Sequence, residues 1–140
     1  MARSGETVVN PATGERVVFL RTAADTGGEL LEMDDFWTRP DHRTTPHVHP
    51  GMEETWEVIA GRAGFRIGER ELVAGPGERV VAPPGVPHMA WNAADGETHL
   101  RITMRPALRW EEFVVRMFAA PDRVLELLPE FPDEVAPASG

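Results

Sequence analysis

Turn residues recur at short intervals along most of this chain, and this spacing constrains the fold more than any other feature. Glycine and proline each occur 13 times in 140 residues, and they separate short apolar runs instead of forming low-complexity blocks. Turn signals lie at residues 10–14, 26–28, 75–77, 83–85 and 94–96. Short strands with turns at this spacing are typical of an all-β sandwich or barrel. At this length we expect one such domain.

The segments between these turns alternate apolar and polar residues, as half-buried strands do. In residues 29–37, Leu31 and Met33 occupy one face of a predicted strand, and the acidic residues Glu32 and Asp34 occupy the other. This alternation indicates a strand that is buried on one side.

The pattern changes in the last quarter of the chain. Apolar residues recur there at helical spacing and predict a helix with one apolar stripe: Trp110, Phe113, Val114, Met117 and Phe118. A second short helix is expected over residues 124–128, followed by an acidic, proline-rich end that we expect to be frayed. We divide the single domain into an N-terminal hairpin (1–29), a barrel core (30–105) and a helical segment with an acidic tail (106–140). The apolar stripe is interpreted as a packing surface, either against the sandwich or across a dimer interface, with a role in lining a ligand cavity as the less favoured alternative.

Composition excludes several classes of function. The net charge is −9, and the 14 Lys and Arg residues are all arginines scattered along the chain, which argues against a surface for nucleic acid or an anionic membrane. There is no cysteine, which rules out disulfides, thiolate catalysis and cysteine-ligated zinc, and no tyrosine to act as an acid or base. No apolar run has the length of a signal-peptide core or a membrane span, so we expect a cytoplasmic protein.

Two histidines and a glutamate form the first candidate site. His47 and His49 are two residues apart, so both imidazoles point to the same face of a strand. Glu54 follows after a turn at Pro50, and two imidazoles with one carboxylate make a partial ligand set for a divalent metal. The alternative is three solvated polar residues on an exposed face, because two histidines at this spacing are common.

A second segment favours the metal interpretation. Residues 77–92 fit the pattern G(x)5PxG(x)2H(x)3N, and residues 47–61 fit HxH(x)4E(x)6G. The two motifs, in this order, closely resemble those of the cupin superfamily, and the resemblance covers about residues 30–105. One position departs from the pattern: Asp41 stands where a glycine usually precedes the first histidine by six residues. That change affects the loop leading into the barrel and removes no ligand.

The resemblance implies a small antiparallel jelly-roll barrel that holds one divalent metal. Carried over by position, the metal ligands are His47, His49, Glu54 and His88. Three neutral imidazoles and one carboxylate leave two open positions in an octahedral shell, where water or a chelating substrate can bind. Iron or manganese is the first expectation, with nickel, cobalt, copper or zinc as alternatives, because this mixed ligand shell suits several metals. Gly85 is expected to allow a turn that sets the angle at which His88 enters the barrel.

Other residues are candidates by their predicted faces. The substrate-pocket candidates are Trp56, Phe65, Ile67, Ile102 and Met104, of which the last four fit ordinary core positions equally well. His42, in the loop before the first motif, is a candidate proton shuttle, with simple solvation as the alternative. Asn92 is expected to anchor backbone, His99 to be exposed on a strand, and Trp91 to lie outside the metal pocket by parity.

Three functions remain open from the sequence. The first is dioxygenase-like chemistry on a hydrophobic or aromatic small molecule that chelates the metal through oxygen. The second is redox-neutral Lewis-acid chemistry, such as isomerisation, cyclisation or elimination, and the third is ligand binding without catalysis. The first is favoured slightly, because no cavity base is evident other than Glu54, which the metal would occupy. A homodimer is expected, since exposed sheet edges invite pairing.

Overall fold

The computed structural model describes residues 2–138 and folds mainly into antiparallel sheet. Its strands, in chain order, are β1 (Thr7–Val9), β2 (Arg16–Arg21), β3 (Leu31–Trp37), β4 (His47–Val48), β5 (Glu53–Ala60), β6 (Ala63–Ile67), β7 (Arg70–Ala74), β8 (Arg79–Ala82), β9 (His88–Asn92), β10 (Thr98–Arg105) and β11 (Ala136–Pro137). They form a six-stranded sheet in the order β1-β2-β3-β10-β5-β8 and a five-stranded sheet in the order β11-β4-β9-β6-β7. The prediction of an all-β fold is confirmed.

Short helices accompany the two sheets. The first, α1 (Ala23–Thr26), lies between β2 and β3, and α2 (Trp110–Ala119) and α3 (Val124–Leu127) follow β10, with 3-10 turns at Pro121–Arg123 and Leu128–Glu130. Helix α2 buries Phe113, Val114 and Phe118, as the apolar stripe predicts. Within residues 2–138, none of the helices combines the length and the apolar character needed to cross a membrane.

Strand β3 shows how alternation in the sequence becomes a layered core. Met33 and Trp37 are buried on its inner face and belong to the main hydrophobic cluster. On the outer face, Arg101 of β10 donates two hydrogen bonds to Asp34, at 2.9 and 3.2 Å. The exception is Asp35, which lies on the inner face and is only 6% exposed. A buried carboxyl group is costly unless it is paired or neutral, so Asp35 sets this part of the inner face apart from ordinary core.

The C-terminal segment is folded through residue 138, and the expectation of a frayed end was wrong for this part of the tail. Strand β11 pairs with β4, which joins the end of the chain to the strand that begins at His47. Phe131 and Val135 are buried in a second hydrophobic cluster together with Phe113 of α2. Two buried apolar side chains therefore hold an otherwise acidic segment in place. Residues 139–140 of the predicted tail lie outside the described residues.

Two glycines of the sequence motifs occupy positions that other residues would resist. Gly61 follows β5 with a φ of 89°, and a Cβ atom there would lie 2.4 Å from Thr98 Oγ1. Gly85 has a φ of 76° in the turn that leads to β9, and its N–H donates to the carbonyl of His49 at 3.0 Å. Positive φ values of this size favour glycine. The turn expected at Gly85 is confirmed, and its hydrogen bond ties the second motif to the first.

Candidate metal centre

Three strands of the two sheets bring the four predicted ligands together. His47 begins β4 and pairs directly with His88 at the start of β9, while His49 follows β4 and Glu54 lies on β5 of the other sheet. His49, Glu54 and His88 are buried, and His47 is half-buried. One side-chain ligand atom from each residue lies within 4.8 Å of those from the other three, so the group could hold one metal ion.

Backbone carbonyls fix the orientation of all three imidazoles. The Nδ1 atom of His47 lies 2.6 Å from the carbonyl oxygen of Thr45. In the same way, Nδ1 of His49 lies 2.8 Å from the carbonyl of Glu134, and Nδ1 of His88 lies 3.0 Å from that of Val86. A carbonyl can only accept, so each Nδ1 carries a proton, and each Nε2 points into the cluster, where it can bind a metal once it is deprotonated. Metal-binding histidines are characteristically oriented by hydrogen bonds of this kind.

The spacing of the ligand atoms fits a divalent transition metal. Glu54 Oε1 lies 2.9 Å from Nε2 of His49 and 3.4 Å from Nε2 of His88. Adjacent nitrogen and oxygen ligands at right angles around one ion lie about 3 Å apart, given metal–ligand bonds of about 2.1 Å. Three imidazoles and one carboxylate suit iron, manganese, nickel, cobalt, copper or zinc, and the donor set alone does not choose among them.

The charges of the four groups depend on one another. Burial and the neighbouring His88 and His49 lower the pKa of His47 to about 4, so this ring is neutral near pH 7. Burial alone would raise the pKa of Glu54, but hydrogen bonds with His49 and His88 outweigh it and hold the pKa well below the usual range. Burial opposes protonation of His88, but the Glu54 carboxylate, whose Oε1 lies 3.4 Å from His88 Nε2, prevails and raises the pKa of His88. A divalent cation bound here would therefore compete with a proton on His88.

Comparison with known proteins agrees with this arrangement. The family model described as the cupin domain matches residues 38–104, which include all four residues. Residues 38–104 therefore form a cupin domain, in agreement with the resemblance carried by the two sequence motifs.

Solved structures show the same fold at low sequence identity. One is KdgF from Halomonas sp., with a TM-score of 0.59 and 18% identity over 66% of this chain and 79% of that one. Another, from Thermotoga maritima and described as a predicted oxalate decarboxylase, has a TM-score of 0.63 and 14% identity over 74% and 92%. The TT1209 protein from Thermus thermophilus has a TM-score of 0.53 and 26% identity over 56% and 74%. No curated protein matches the chain. These likenesses confirm the predicted cupin jelly roll, and a shared fold does not define the reaction.

The C-terminal segment of this cupin supports His49 from outside the two motifs. The carbonyl that orients His49 belongs to Glu134, just before β11, and Gly51 N–H donates to the carbonyl of Asp133 at 3.1 Å. The ring of Trp110 from α2 packs edge-on against the His49 ring, with centroids 4.8 Å apart. Sequence analysis missed this support, because a contact through a backbone carbonyl leaves no mark on the residue type that provides it.

A cavity of about 710 Å³ opens beside the metal ligands. His47, Glu54 and His88 form part of its wall, and Met33 lies on another part. The apolar stripe of α2 also lines the cavity: Trp110, Phe113, Val114, Met117 and Phe118. The helix therefore packs against the barrel and also lines the space beside the candidate ligands, which was the less favoured interpretation of the stripe.

The predicted pocket residues divide into two groups. Trp56 and Ile102 line the cavity, whereas Phe65, Ile67 and Met104 are not among its lining residues within the described part of the chain. Phe65 and Met104 are fully buried in the main hydrophobic cluster, and Phe65 packs against the Trp56 ring with centroids 4.9 Å apart. Ile67 is half-buried at the margin of that cluster. Strand alternation predicts that all five side chains point inward. Tertiary packing decides which of them line the cavity.

A second polar cluster lines the same cavity and consists of Glu15, Asp35 and His42. Trp37 Nε1 donates to Asp35 Oδ2 at 3.2 Å, and the His42 ring stacks on Trp37 with centroids 5.1 Å apart. His42 Nε2 lies 3.9 Å from Glu15 Oε1. Burial and the adjacent Glu15 raise the pKa of Asp35 well above its usual range, and burial lowers the pKa of His42. Asp35 therefore keeps its proton to a higher pH than an exposed aspartate does.

The sequence identified His42 but not its two acidic neighbours. A signal for Asp35 was present, because it shares its parity with Leu31 and Met33 and is an acidic residue at an inward position of a predicted strand. No comparable signal marks Glu15, which precedes β2 at the end of a turn.

Asn92 anchors backbone, as expected from its place in the second motif. Its Nδ2 donates to the carbonyls of Arg39 at 2.9 Å and Gly96 at 2.8 Å. Its Oδ1 accepts from Thr98 Oγ1 at 2.7 Å. These contacts hold the loops at the end of β9, and Asn92 is absent from the cavity lining within residues 2–138.

Two aromatic rings near the site lie on outer surfaces. Trp91 packs over Gly64, where a Cβ atom would come within 2.0 Å of the indole, and it is not among the described residues that line the cavity. His99 was expected to be exposed, but its side chain is only 22% exposed. Its ring stacks on Phe36 with centroids 4.2 Å apart, and its Nε2 lies 3.3 Å from Asp34 Oδ1.

Proposed function

We propose that this cupin is an enzyme that holds one divalent transition metal through His47, His49, Glu54 and His88, with iron or manganese as the first candidates. The observation that carries the proposal is the position of the ligand cluster in the wall of a largely apolar cavity. Four protein ligands leave two positions of an octahedral shell free. An oxygen chelate, such as a catechol or a flavonoid, would bind at the positions that the protein leaves free.

The proposed chemistry is dioxygenase-like. When bound, the metal would supply redox chemistry between an aromatic oxygen chelate and dioxygen. The residues of the chain would do the rest: Trp56 and Ile102 would pack against the apolar body of the substrate, and Trp110 with the rest of the α2 stripe would exclude water. His42 is the proposed proton shuttle, because its ring is neutral near pH 7, lines the cavity and lies near Glu15.

A second candidate function is redox-neutral Lewis-acid catalysis, in which the metal polarises a carbonyl for isomerisation, cyclisation or elimination. One specific observation favours it. Sequence analysis found no acid or base in the cavity apart from Glu54, whereas the structure places the carboxyl groups of Asp35 and Glu15 there. These groups could exchange protons with a substrate while Glu54 is held by the metal.

The decisive experiment begins with the metal. Purification without a histidine tag, followed by mass spectrometry of bound metals, is expected to give close to one equivalent of iron or manganese. Oxygen uptake with catechols and flavonoids then tests the first function, which requires a redox-active metal. Turnover that persists with zinc under anaerobic conditions would instead support the Lewis-acid function. Ligand binding with neither activity would leave a binding module, the third function considered from the sequence.

We also propose a homodimer formed through sheet edges. β7 and β8 each lie at one edge of their sheets, and each carries an exposed valine: Val73 is 47% exposed and Val81 is 44% exposed. Exposed edges of this kind invite pairing with a second copy. Light scattering should give twice the chain mass, and a monomer would contradict the proposal. Cytoplasmic location remains a prediction that cell fractionation tests.

A further inference from the structure

The polar cluster at Asp35 is incomplete within the described residues. Asp35 is 6% exposed, and its Oδ1 has no hydrogen-bond partner among residues 2–138. The side chain of His42 is 8% exposed, and its Nε2 is likewise without a hydrogen-bond partner within that range. Both side chains line the cavity. Among the described residues, the third unpaired atom in the cavity wall, His88 Nε2, belongs to the candidate metal site. Buried polar atoms in proteins are nearly always paired, so the two that lie away from that site point to a ligand group that pairs with them.

Asp35 and Glu15 can satisfy each other only in part. A carboxylate has no proton to donate, so two carboxyl groups form a hydrogen bond only when one of them is protonated. Burial, together with the neighbouring Glu15 carboxyl group, raises the pKa of Asp35, and the charge of Glu54 contributes in the same direction. Two arginines line the cavity within the described residues, and each has another contact: Arg39 pairs with Asp41 at 3.5 Å, and the Arg43 guanidinium lies over the Trp91 ring, 5.2 Å from its centroid. Asp35 therefore keeps its proton to a higher pH than an exposed aspartate does, and Asp35 Oδ1 is still able to accept a hydrogen bond.

The cavity wall places this pair at a defined distance from the metal ligands. Across β3, β10 and β5, Glu54 lies in one row with Met104, Trp56 lies in the next with Ile102 and Met33, and Asp35 lies one row further. Rows on one face of a strand are about 7 Å apart, so the two carboxyl rows are separated by about 13 Å along the strands. The row between them is apolar. The wall therefore runs from carboxylate through an apolar middle to carboxylic acid.

We propose that Asp35 and Glu15 form a second ligand-binding pole, which accepts hydrogen bonds from a hydroxyl or ammonium group at the far end of the substrate. The inference rests on the proposed function, since the near end of the same molecule would chelate the metal. The apolar middle of the substrate, of about the size of one aromatic ring with a short aliphatic chain, would lie against Met33, Trp56 and Ile102. The preferred substrate is therefore an elongated aromatic oxygen chelate with a distal hydrogen-bond donor. An anionic group at the distal end would be rejected.

Matched catechols test this preference directly. Protein loaded with zinc, which is redox-inert, would be titrated by calorimetry under nitrogen with 4-ethylcatechol, 4-(2-hydroxyethyl)catechol, 4-(2-aminoethyl)catechol and 3-(3,4-dihydroxyphenyl)propanoic acid. The hydroxyl- and amine-ended probes are expected to bind about tenfold more tightly than 4-ethylcatechol, as a hydrogen bond to a charged pair predicts. The acid-ended probe is expected to bind most weakly. The preference should disappear in Asp35→Asn and in Glu15→Gln.

The controls separate this proposal from the proposed function. Asp34→Asn makes the same chemical change on the outer face of β3 and should keep the full preference. Glu15→Gln changes a less buried residue, so it serves if Asp35→Asn fails to fold. Equal binding of all four probes would overturn the distal pole while supporting oxygen chelation. Binding of none would overturn both.

A measurement on the metal-free protein checks the pair alone. Carbon-13 NMR titration of the Asp35 carboxyl group should show a pKa above its ordinary value, and this pKa should fall in Glu15→Gln. An ordinary pKa for Asp35 would overturn the coupling of Asp35 with Glu15, whatever the catechols do.

Discussion

The two polar ends of the cavity carry buried carboxyl groups in opposite states. Glu54 faces the imidazoles of His49 and His88, which stabilise its negative charge, so its pKa is lowered. Asp35 faces another carboxyl group, that of Glu15, so its pKa is raised. Both residues are buried and project from the same sheet face. Burial favours the neutral form of each, and the neighbouring groups decide whether that tendency prevails. One end is therefore built for a cation and the other for a hydrogen-bond donor.

Removing an imidazole from the ionised end should have the largest effect. His88→Ala is expected to weaken metal affinity by at least about 100-fold, because even the loss of groups that only orient a ligand costs 10- to 100-fold. The barrel should stay folded, since its stability comes mainly from the hydrophobic core. Metal content by mass spectrometry and circular dichroism would measure the two effects. His99→Ala, on an outer face, is the control, and an unfolded His88→Ala would show instead that the metal is structural.

Protons should compete with the metal for His88. The Glu54 carboxylate raises the pKa of His88, and an imidazole must be neutral to bind a metal. Metal affinity is therefore expected to fall by about tenfold per pH unit once the pH is below the raised pKa of His88. His47, with a pKa of about 4, should contribute no further loss at mildly acidic pH. Competition titrations with a chromophoric chelator would measure this, and affinity independent of pH would contradict histidine ligation.

Loss of the contact between α2 and the candidate metal ligand His49 should have a smaller effect on metal affinity. Trp110→Leu removes the ring that packs against His49 while leaving all four ligands in place. We expect metal affinity to fall by up to about tenfold, because His49 would be less firmly oriented. The same chelator competition would measure it. Trp91→Leu is the matched control outside the cavity, and equal affinities for the two variants would rule out a role for Trp110 in positioning His49.

The raised pKa of Asp35 should have a measurable effect on how the free energy of unfolding changes with pH. The folded-state pKa of Asp35 lies above that of the unfolded chain, so between the two values only the unfolded chain loses its proton. Stability from this group therefore falls as pH rises through that window, and Asp35→Asn should lack the fall. Glu54 has the opposite sign: it stabilises metal-free protein above its ordinary pKa of 4.5, and this contribution is lost as pH falls through its lowered pKa. Denaturant unfolding of metal-free variants across pH would compare the two slopes, and slopes of the same sign would contradict the assignment.

Prediction from the sequence was most successful for the candidate metal site, because its residues lie in two short motifs. The spacing of His47, His49 and Glu54 sets their faces, and Gly85 fixes the turn before His88. The prediction of frayed ends failed at residues 131–138 because composition describes how a segment is solvated and does not show which surface covers it. Asp35 was missed although its position in the strand places it on the same face as Leu31 and Met33. It follows Asp34 directly, and two adjacent aspartates resemble part of an acidic outer surface.

The sequence by itself determined most of the strands and turns, the candidate ligand residues and the resemblance to cupins, because periodicity, motif spacing and turn chemistry are encoded over a few residues. Tertiary structure alone decided that α2 covers the cavity and that a carbonyl near the C-terminus orients His49. It also decided that Glu15 and His42 meet Asp35. These contacts join residues far apart in the chain, some of them through the backbone, so residue type and spacing carry no record of the partner. Long-range pairing of the sheets brings the partners together, and their mutual charges then set which carboxyl group holds a proton.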